Sequence, residues 1–188
     1  MTKQNRPLCG IDEAGRGCIA GSLVMAGVVL TGEVDGLTDS KKLTEKRREA
    51  LYDTIVDNAV YHIVSFSAQE VDALGISECL RCGLQSIQMH IPDAKYLFDG
   101  NSTFGVDNIA TMVKADAKVV EVSAASILAK VTRDREIIAL SKTYPAYGFE
   151  KHKGYGTKAH IEALQVHGRC PVHRKSFRVK GVDDPTLF

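Results

Sequence analysis

The run Leu23-Val-Met-Ala-Gly-Val-Val-Leu30 constrains the fold more than any other stretch, because it is small and β-branched throughout and carries no charge. Such a run reads as a strand buried in a sheet. Leu8 to Ile11 reads as a second strand, and Val60 to Phe66 alternates as a half-buried strand does. Tyr96-Leu-Phe98 is a strand ended by the turn pair Asp99-Gly100, and Ile109 to Val113 is another. Helical patterns lie between the strands. Residues 44–58 suit a helix opened by Thr44, and Ser67-Ala-Gln-Glu70 is the capping-box pattern of a short helix. Residues 77–91, opened by Ser77, put Leu80, Leu84, Ile87 and Ile91 on one helical face. Farther on, Ala124, Ile127, Leu128, Val131 and Ile138 mark a long amphipathic helix, which Tyr144 to Gly148 breaks. Thr157 to His167 is a helix that Gly168 ends. A sheet early and helices late make an α/β fold.

With 188 residues the chain can bury a core without help from disulfides or metals. Its five cysteines, at 9, 18, 79, 82 and 170, are odd in number and form no disulfide framework. Cys79-x-x-Cys82 has metal or redox spacing but no partner pair, and it falls inside a predicted helix. Zinc usually needs four ligands, so the pair reads as structural. No apolar run approaches about 18 residues, which excludes a membrane-spanning helix. The opening from Met1 to Pro7 lacks the pattern of a signal peptide, and a cytoplasmic location is expected.

Charge becomes informative only when mapped along the chain. Residues 141–180 hold six Lys and three Arg against two Glu, a net +7, so the remainder carries −6 within a total of +1. A phosphate-binding face beside an acidic centre would give this asymmetry, and so would a solvated basic surface.

Asp12, Glu13, Asp99 and Asp116 sit where strands end or loops begin. Carboxylates gathered there repel one another unless positive charge stands between them. Mg²⁺ and Mn²⁺ prefer carboxylate and water ligands. Two such ions about 3.5–4 Å apart can hold a phosphodiester, one activating a water and the other stabilising the leaving oxygen. Asp12 and Glu13 are adjacent and would point to opposite faces of a regular strand. Both can face one site only if the chain bends, and Ala14-Gly15-Arg16-Gly17 supplies the flexibility. The phosphate-loop and dinucleotide motifs are excluded, because Arg16-Gly17 stands where Lys-Ser/Thr is required and Gly15 to Gly21 has one residue too many.

His152-Lys-Gly-Tyr-Gly-Thr157 is dense in phosphate binders and ends at a helix N-cap, where phosphate is attracted. Tyr155, flanked by glycines, is poorly placed for a core and well placed to lie against a sugar or base. His173-Arg-Lys-Ser-Phe177 adds further phosphate-binding groups, with His152 and His173 read as contacts and not as catalysts. Lys41, Lys42 and Lys46 read equally as a solvated helix start or as contacts to a nucleic acid backbone.

The run Gly10-Ile-Asp-Glu-Ala-Gly-Arg-Gly17 resembles the opening signature of type 2 ribonuclease H. Asp39-Ser-Lys-Lys-Leu43, Asp99-Gly100, Lys114-Ala-Asp116, Ala124 to Lys130, Tyr147 to Thr157 and His173 to Phe177 resemble its later blocks, in the right order and across nearly the whole chain. The resemblance implies a ribonuclease H-like mixed sheet flanked by helices. A catalytic domain over 1–140 would carry a basic, helical, nucleic-acid-binding extension over 141–188. It implies Asp12, Glu13, Asp99 and Asp116 as metal-binding and catalytic carboxylates for Mn²⁺ or Mg²⁺. Gly15, Arg16 and Gly17 would read the 2′-hydroxyl at the cut, and Tyr155 would pack on the next deoxyribose. Lys41, Lys42, His152, Lys153 and Arg174 complete the candidate substrate contacts. The implied activity is cleavage of the RNA strand of RNA–DNA hybrids, and 5′ of ribonucleotides embedded in duplex DNA, by a monomer. Cys18 and Ser22 stand where the family usually has proline, which should loosen the glycine-rich turn, and Ala115 stands where it usually has glycine. Another two-metal nuclease of the same fold would share the carboxylates but not Gly15-Arg-Gly17 with Tyr155. A non-catalytic hybrid-binding module would leave the four acids idle, and a metal-free, histidine-based ribonuclease would survive EDTA.

Overall fold

The computed structural model describes residues 6–37 and 43–183. Lys41, Lys42 and the tail from residue 184 lie outside the described residues.

Five strands form one mixed sheet: β1 (Leu8–Ala14), β2 (Leu23–Leu30), β3 (Ala59–Phe66), β4 (Lys95–Asp99) and β5 (Ile109–Met112), in the order β3-β2-β1-β4-β5. β1 and β2 pair antiparallel, as do β2 and β3, whereas β4 runs parallel to both β1 and β5. The run 23–30 is a central strand, and its alternation feeds two cores. Leu23 and Met25 pack with Cys9 and Ile11 against Leu80, Leu84 and Ile87 of α3 (Ile76–His90). Val24, Ala26 and Val28 face the other way, onto Leu51 and Ile55 of α1 (Glu45–Asp57) and the apolar stripe Ala124 to Val131 of α4 (Val120–Thr143). The sheet is therefore covered on both faces, as its uncharged central strand requires.

Several boundaries differ from the sequence expectation by a residue or more, two of them for a clear physical reason. β1 does not end at Ile11. It pairs with β2 through Asp12, Glu13 and Ala14, so both acids lie inside the strand and the bend follows them. The helix expected from Ser77 starts at Ile76, because Gly75, at φ 81°, separates it from α2 (Ala68–Leu74). Near the end of α4 it is Ile137 and not Ile138 that is deeply buried, as the stripe drifts round the helix.

α4 runs past residue 140, and the segment that follows packs on its end. Tyr147, Phe149 of α5 (Phe149–His152), Leu164 of α6 (Lys158–His167), Cys170 and Val179 share a third core with Ile19, Ala20 and Ile137. This core ties the C-terminal helices to the chain that leaves β1. Among the described residues no helix is long and apolar enough to cross a membrane.

Candidate active site

β1 and β4 are parallel neighbours, so their C-terminal ends lie side by side. Asp12 sits near the end of β1, Asp99 ends β4, and Asp116 lies in a 3-10 turn at Ala115–Ala117. One carboxylate oxygen of each lies within 4.8 Å of the other two. Asp12 and Asp116 are buried, and Asp99 is half-buried. The main chain holds the acids in place: the Glu13 N–H donates to Asp12 Oδ1 at 2.8 Å, and the Asp116 N–H donates to Asp99 Oδ2 at 3.3 Å.

Burial pushes the Asp12 carboxyl well above the usual carboxylate range, and the charges of Glu13 and Asp99 push it further. Burial also pushes Glu13 up to about 7, against the pull of the Arg16 guanidinium 3.6 Å away. Asp99 is raised by burial and by Asp116, although backbone hydrogen bonds oppose the rise. Glu13 Oε2 is buried with no hydrogen-bond partner. A set of all-oxygen donors held this far from comfortable ionisation is short of positive charge, and Mg²⁺ or Mn²⁺ fits it. Asp12, Asp99 and Asp116 would be the ligands, with Glu13 beside them.

These acids form one wall of a cleft of about 370 Å³, which Gly15 to Gly17, Arg48, Ser126, Lys130 and Tyr155 complete. The chain leaves β1 through Gly15, at φ 88°, and the Cys18 N–H closes the turn onto Gly15 O at 3.2 Å. A proline at 18 could not donate that bond. The Ser22 hydroxyl donates to Glu136. Both departures from the family pattern thus make a hydrogen bond that proline could not donate. Ala115 is buried with no positive φ, so nothing there requires a glycine. Tyr155 is 43% exposed on the far wall. Lys130 Nζ and Arg133 Cζ stand 5.7 and 5.8 Å from its ring centroid, and its hydroxyl is hydrogen-bonded to the Cys18 thiol.

A family model described as Ribonuclease HII matches residues 9–180. The chain belongs to the ribonuclease HII family. It is 73% identical to a ribonuclease HII of Sulfurovum sp. over the full length of both chains. It is 52% identical to one of Campylobacter jejuni, covering 92% of this chain and 91% of that one. Among solved structures it resembles ribonuclease HII of Archaeoglobus fulgidus, solved in complex with PCNA, at TM-score 0.80 and 30% identity over 96% of this chain and 98% of that one. The ribonuclease H2 of Pyrococcus horikoshii gives TM-score 0.71 at 30% identity, over 90% and 93%. The protein is therefore a ribonuclease H.

Not every candidate contact lies on the cleft. Arg174 is fully buried, donating from Nε to Gly21 O at 3.1 Å and from Nη1 to Arg16 O at 3.1 Å. It supports the glycine-rich turn from behind and has no exposed face for phosphate. His152 is also buried, bonded through Nε2 to Tyr147 O at 2.7 Å, while its Nδ1 accepts from the Gly154 N–H at 3.3 Å. His173, read from sequence as a phosphate contact, lies in the core as well. The Cys170 N–H donates to its Nδ1 at 3.0 Å, which leaves its Nε2–H to donate to His160 Nε2 at 3.0 Å. His160 Nδ1–H then donates to Tyr155 O at 2.9 Å. Burial lowers both histidines to about 4, so the chain is neutral and fixes the Tyr155 backbone. Lys153 is half-buried and donates to Glu150 O at 2.7 Å. Cys79 and Cys82 lie in α3, and neither belongs to the carboxylate cluster.

Ser126, Lys130, Arg133 and Arg48 were missed by sequence reasoning. Ser126, Lys130 and Arg133 follow an i, i+4, i+7 spacing, a polar stripe on an otherwise buried helix, and this was the available signal.

Proposed function

We propose that the protein hydrolyses the RNA strand of RNA–DNA hybrids and cuts on the 5′ side of ribonucleotides embedded in duplex DNA. The products would carry 3′-hydroxyl and 5′-phosphate ends. The observation that carries this reading is the meeting, across one cleft, of a carboxylate cluster short of positive charge with a glycine-rich turn and an exposed tyrosine ring. Asp12, Asp99 and Asp116, with Glu13 beside them, would hold divalent metal, Mn²⁺ or Mg²⁺, which when bound supplies a water acidified for attack and a counter-charge for the leaving oxygen.

The turn at Gly15-Arg16-Gly17 suits recognition of a 2′-hydroxyl. Gly15 is required by its own backbone and by Arg133, but a Cβ on Gly17 would meet nothing within 4 Å, and its φ is not positive. The protein itself makes no demand for glycine there, which points to close approach by something outside the chain. Tyr155 supplies a flat apolar surface for the adjoining deoxyribose. Arg16 and Lys153, with Lys41 and Lys42, would contact phosphate. His152 and Arg174 support these groups from the interior instead. The basic segment 141–188 would extend the nucleic-acid face of a catalytic unit spanning 1–140, in a monomeric, cytoplasmic repair enzyme.

The test is a duplex DNA carrying one ribonucleotide, incubated with Mg²⁺, Mn²⁺ or EDTA, with the product ends identified. Cleavage 5′ of the ribonucleotide, dependent on metal and absent on an all-DNA control, is the expected result. Undiminished cleavage in excess EDTA refutes the reading.

A further inference from the structure

Arg133 is 1% exposed, near the middle of α4. Burying a guanidinium is costly unless its donors are all met by good acceptors. Here the acceptors are main-chain carbonyls from two separate segments. Nε donates to Ser22 O at 2.9 Å and Nη2 to Ala20 O at 3.0 Å, both just after the glycine-rich turn. Nη1 donates to Lys153 O at 2.8 Å, two residues before Tyr155. The two segments also bond directly, as the Ile19 and Ala20 N–H groups both donate to Gly154 O, at 3.0 and 3.3 Å.

Three glycines line the junction around this guanidinium. A Cβ on Gly15 would stand 2.0 Å from Arg133 Nε, and one on Gly154 2.4 Å from Ala20 O and 3.2 Å from Nη2, whereas one on Gly21 would meet Ile137 Cδ1 at 2.9 Å, with Nη2 at an ordinary contact distance of 3.4 Å. All three also have positive φ. A planar fork with donors fixed in several directions can reach three carbonyls at once, whereas a lysine ammonium on a flexible stem cannot hold them in register.

We propose that Arg133 is a positioning residue, which locks the turn at 15–17 and the Tyr155 ring into one rigid wall and so sets where the reacting ribose sits relative to the carboxylates. The inference rests on the reading of the cleft given above. Arg133 touches no reacting atom. It acts through the two segments that it joins.

The experiment uses the full chain with Mn²⁺ and the single-ribonucleotide duplex, and measures kcat and KM separately for wild type, Arg133→Lys, Tyr155→Ala and the double variant. Misplacement by about 1 Å can cost on the order of 100-fold, so Arg133→Lys should lower kcat about 100-fold. KM should stay within about threefold, because ground-state contacts elsewhere are untouched. The double variant should fall short of the product of the two single losses by about tenfold, as coupled residues do. Mn²⁺ affinity, measured by calorimetry, should not change. An unchanged kcat, fully multiplicative losses, or a parallel loss of Mn²⁺ affinity would each overturn the inference. If Arg133→Lys does not fold, Gly154→Ala decides the matter, since it pries the same junction apart with Arg133 intact. It should show the same loss in kcat at nearly constant KM, and normal turnover overturns the inference. A wild type that leaves the duplex uncut refutes the functional reading itself. A wild type that cuts while the variants match it refutes the role of Arg133 alone.

Discussion

On one wall of the cleft, Asp12, Glu13 and Asp99 all resist ionisation and Glu13 Oε2 has no partner. On the other, three nitrogens of Arg133 have carbonyls, the Cys18 N–H closes its turn, and a neutral histidine chain ends on Tyr155 O. The first wall is left incomplete in charge, and the second has its main hydrogen bonds made before anything binds, with only Arg174 Nη2 behind the turn left without a partner among the described residues. The difference separates two tasks. A wall that must hold a cation is destabilised until the cation arrives, while a wall that must measure a sugar gains by having nothing left to rearrange.

The largest effect should come from the incomplete wall. Asp12→Asn removes a carboxylate that an amide replaces poorly as a ligand, and a metal contribution of several kcal/mol corresponds to roughly 1000-fold in kcat. The metal-free protein should be no less stable, because a buried charge has gone. Assay of kcat together with melting curves, with and without Mn²⁺, checks both halves. Turnover near wild type, or an unchanged Mn²⁺-induced rise in Tm, would remove Asp12 from the metal site.

On the complete wall the effects should be smaller. Tyr155→Ala should cost about 1–3 kcal/mol, by analogy with aromatic stacking on nucleic acid, or roughly five- to 150-fold in kcat/KM. Tyr155→Phe should be mild, with Tm little changed in both. If Phe is as damaging as Ala, the hydroxyl held by Cys18 carries the role and the ring does not.

The two walls should also answer pH in opposite senses. His160 and His173 titrate near 4 when folded, against about 6.5 in an unfolded chain. The unfolded state binds the extra protons between those values, so stability is lost as pH falls from about 6.5 to about 4. Glu13, raised to about 7, does the reverse in the metal-free protein. What it costs at alkaline pH is recovered as pH drops through 7 toward its ordinary value. Metal-free melting curves from pH 4 to 8 should therefore show both limbs, the alkaline one flattened in Glu13→Gln and the acid one in His160→Gln. A flat acid limb in wild type would deny the histidine chain its neutral state.

The smallest effect is expected far from either wall. Cys82→Ser should leave kcat, Mn²⁺ dependence and zinc content unchanged, and loss of both activity and bound zinc would restore the Cys79–Cys82 pair as a metal site.

The sheet and the acids were legible for a local reason. Asp99 stands beside a run of strand-forming residues that ends in a turn pair, and Asp12 and Glu13 precede a glycine-rich segment that can turn the chain. What stayed hidden depended on distant partners. β1 continues through Ala14 because β2 goes on offering it a partner as far as Val24, which no local pattern reveals. Arg174, His152 and His173 sit in a segment rich in basic residues, so composition placed them outside. Their burial is decided by carbonyls of Arg16, Gly21 and Tyr147 and by a third core that joins the chain leaving β1 to the C-terminal helices.

α4 acts as a ruler between the two walls. Ser126 is hydrogen-bonded to Asp12, and Arg133 lies under Tyr155 two turns farther along. Seven residues at the helical rise span about 10 Å, so the separation of metal centre and sugar platform is written in backbone hydrogen bonds and not in loop length. One residue inserted between Ser126 and Arg133 would rotate all that follows by about 100° and advance it by about 1.5 Å, taking the guanidinium out of phase with its carbonyls. Variation in chain length should thus collect in the connections around the cleft, while the stretch of α4 from 126 to 133 keeps its count.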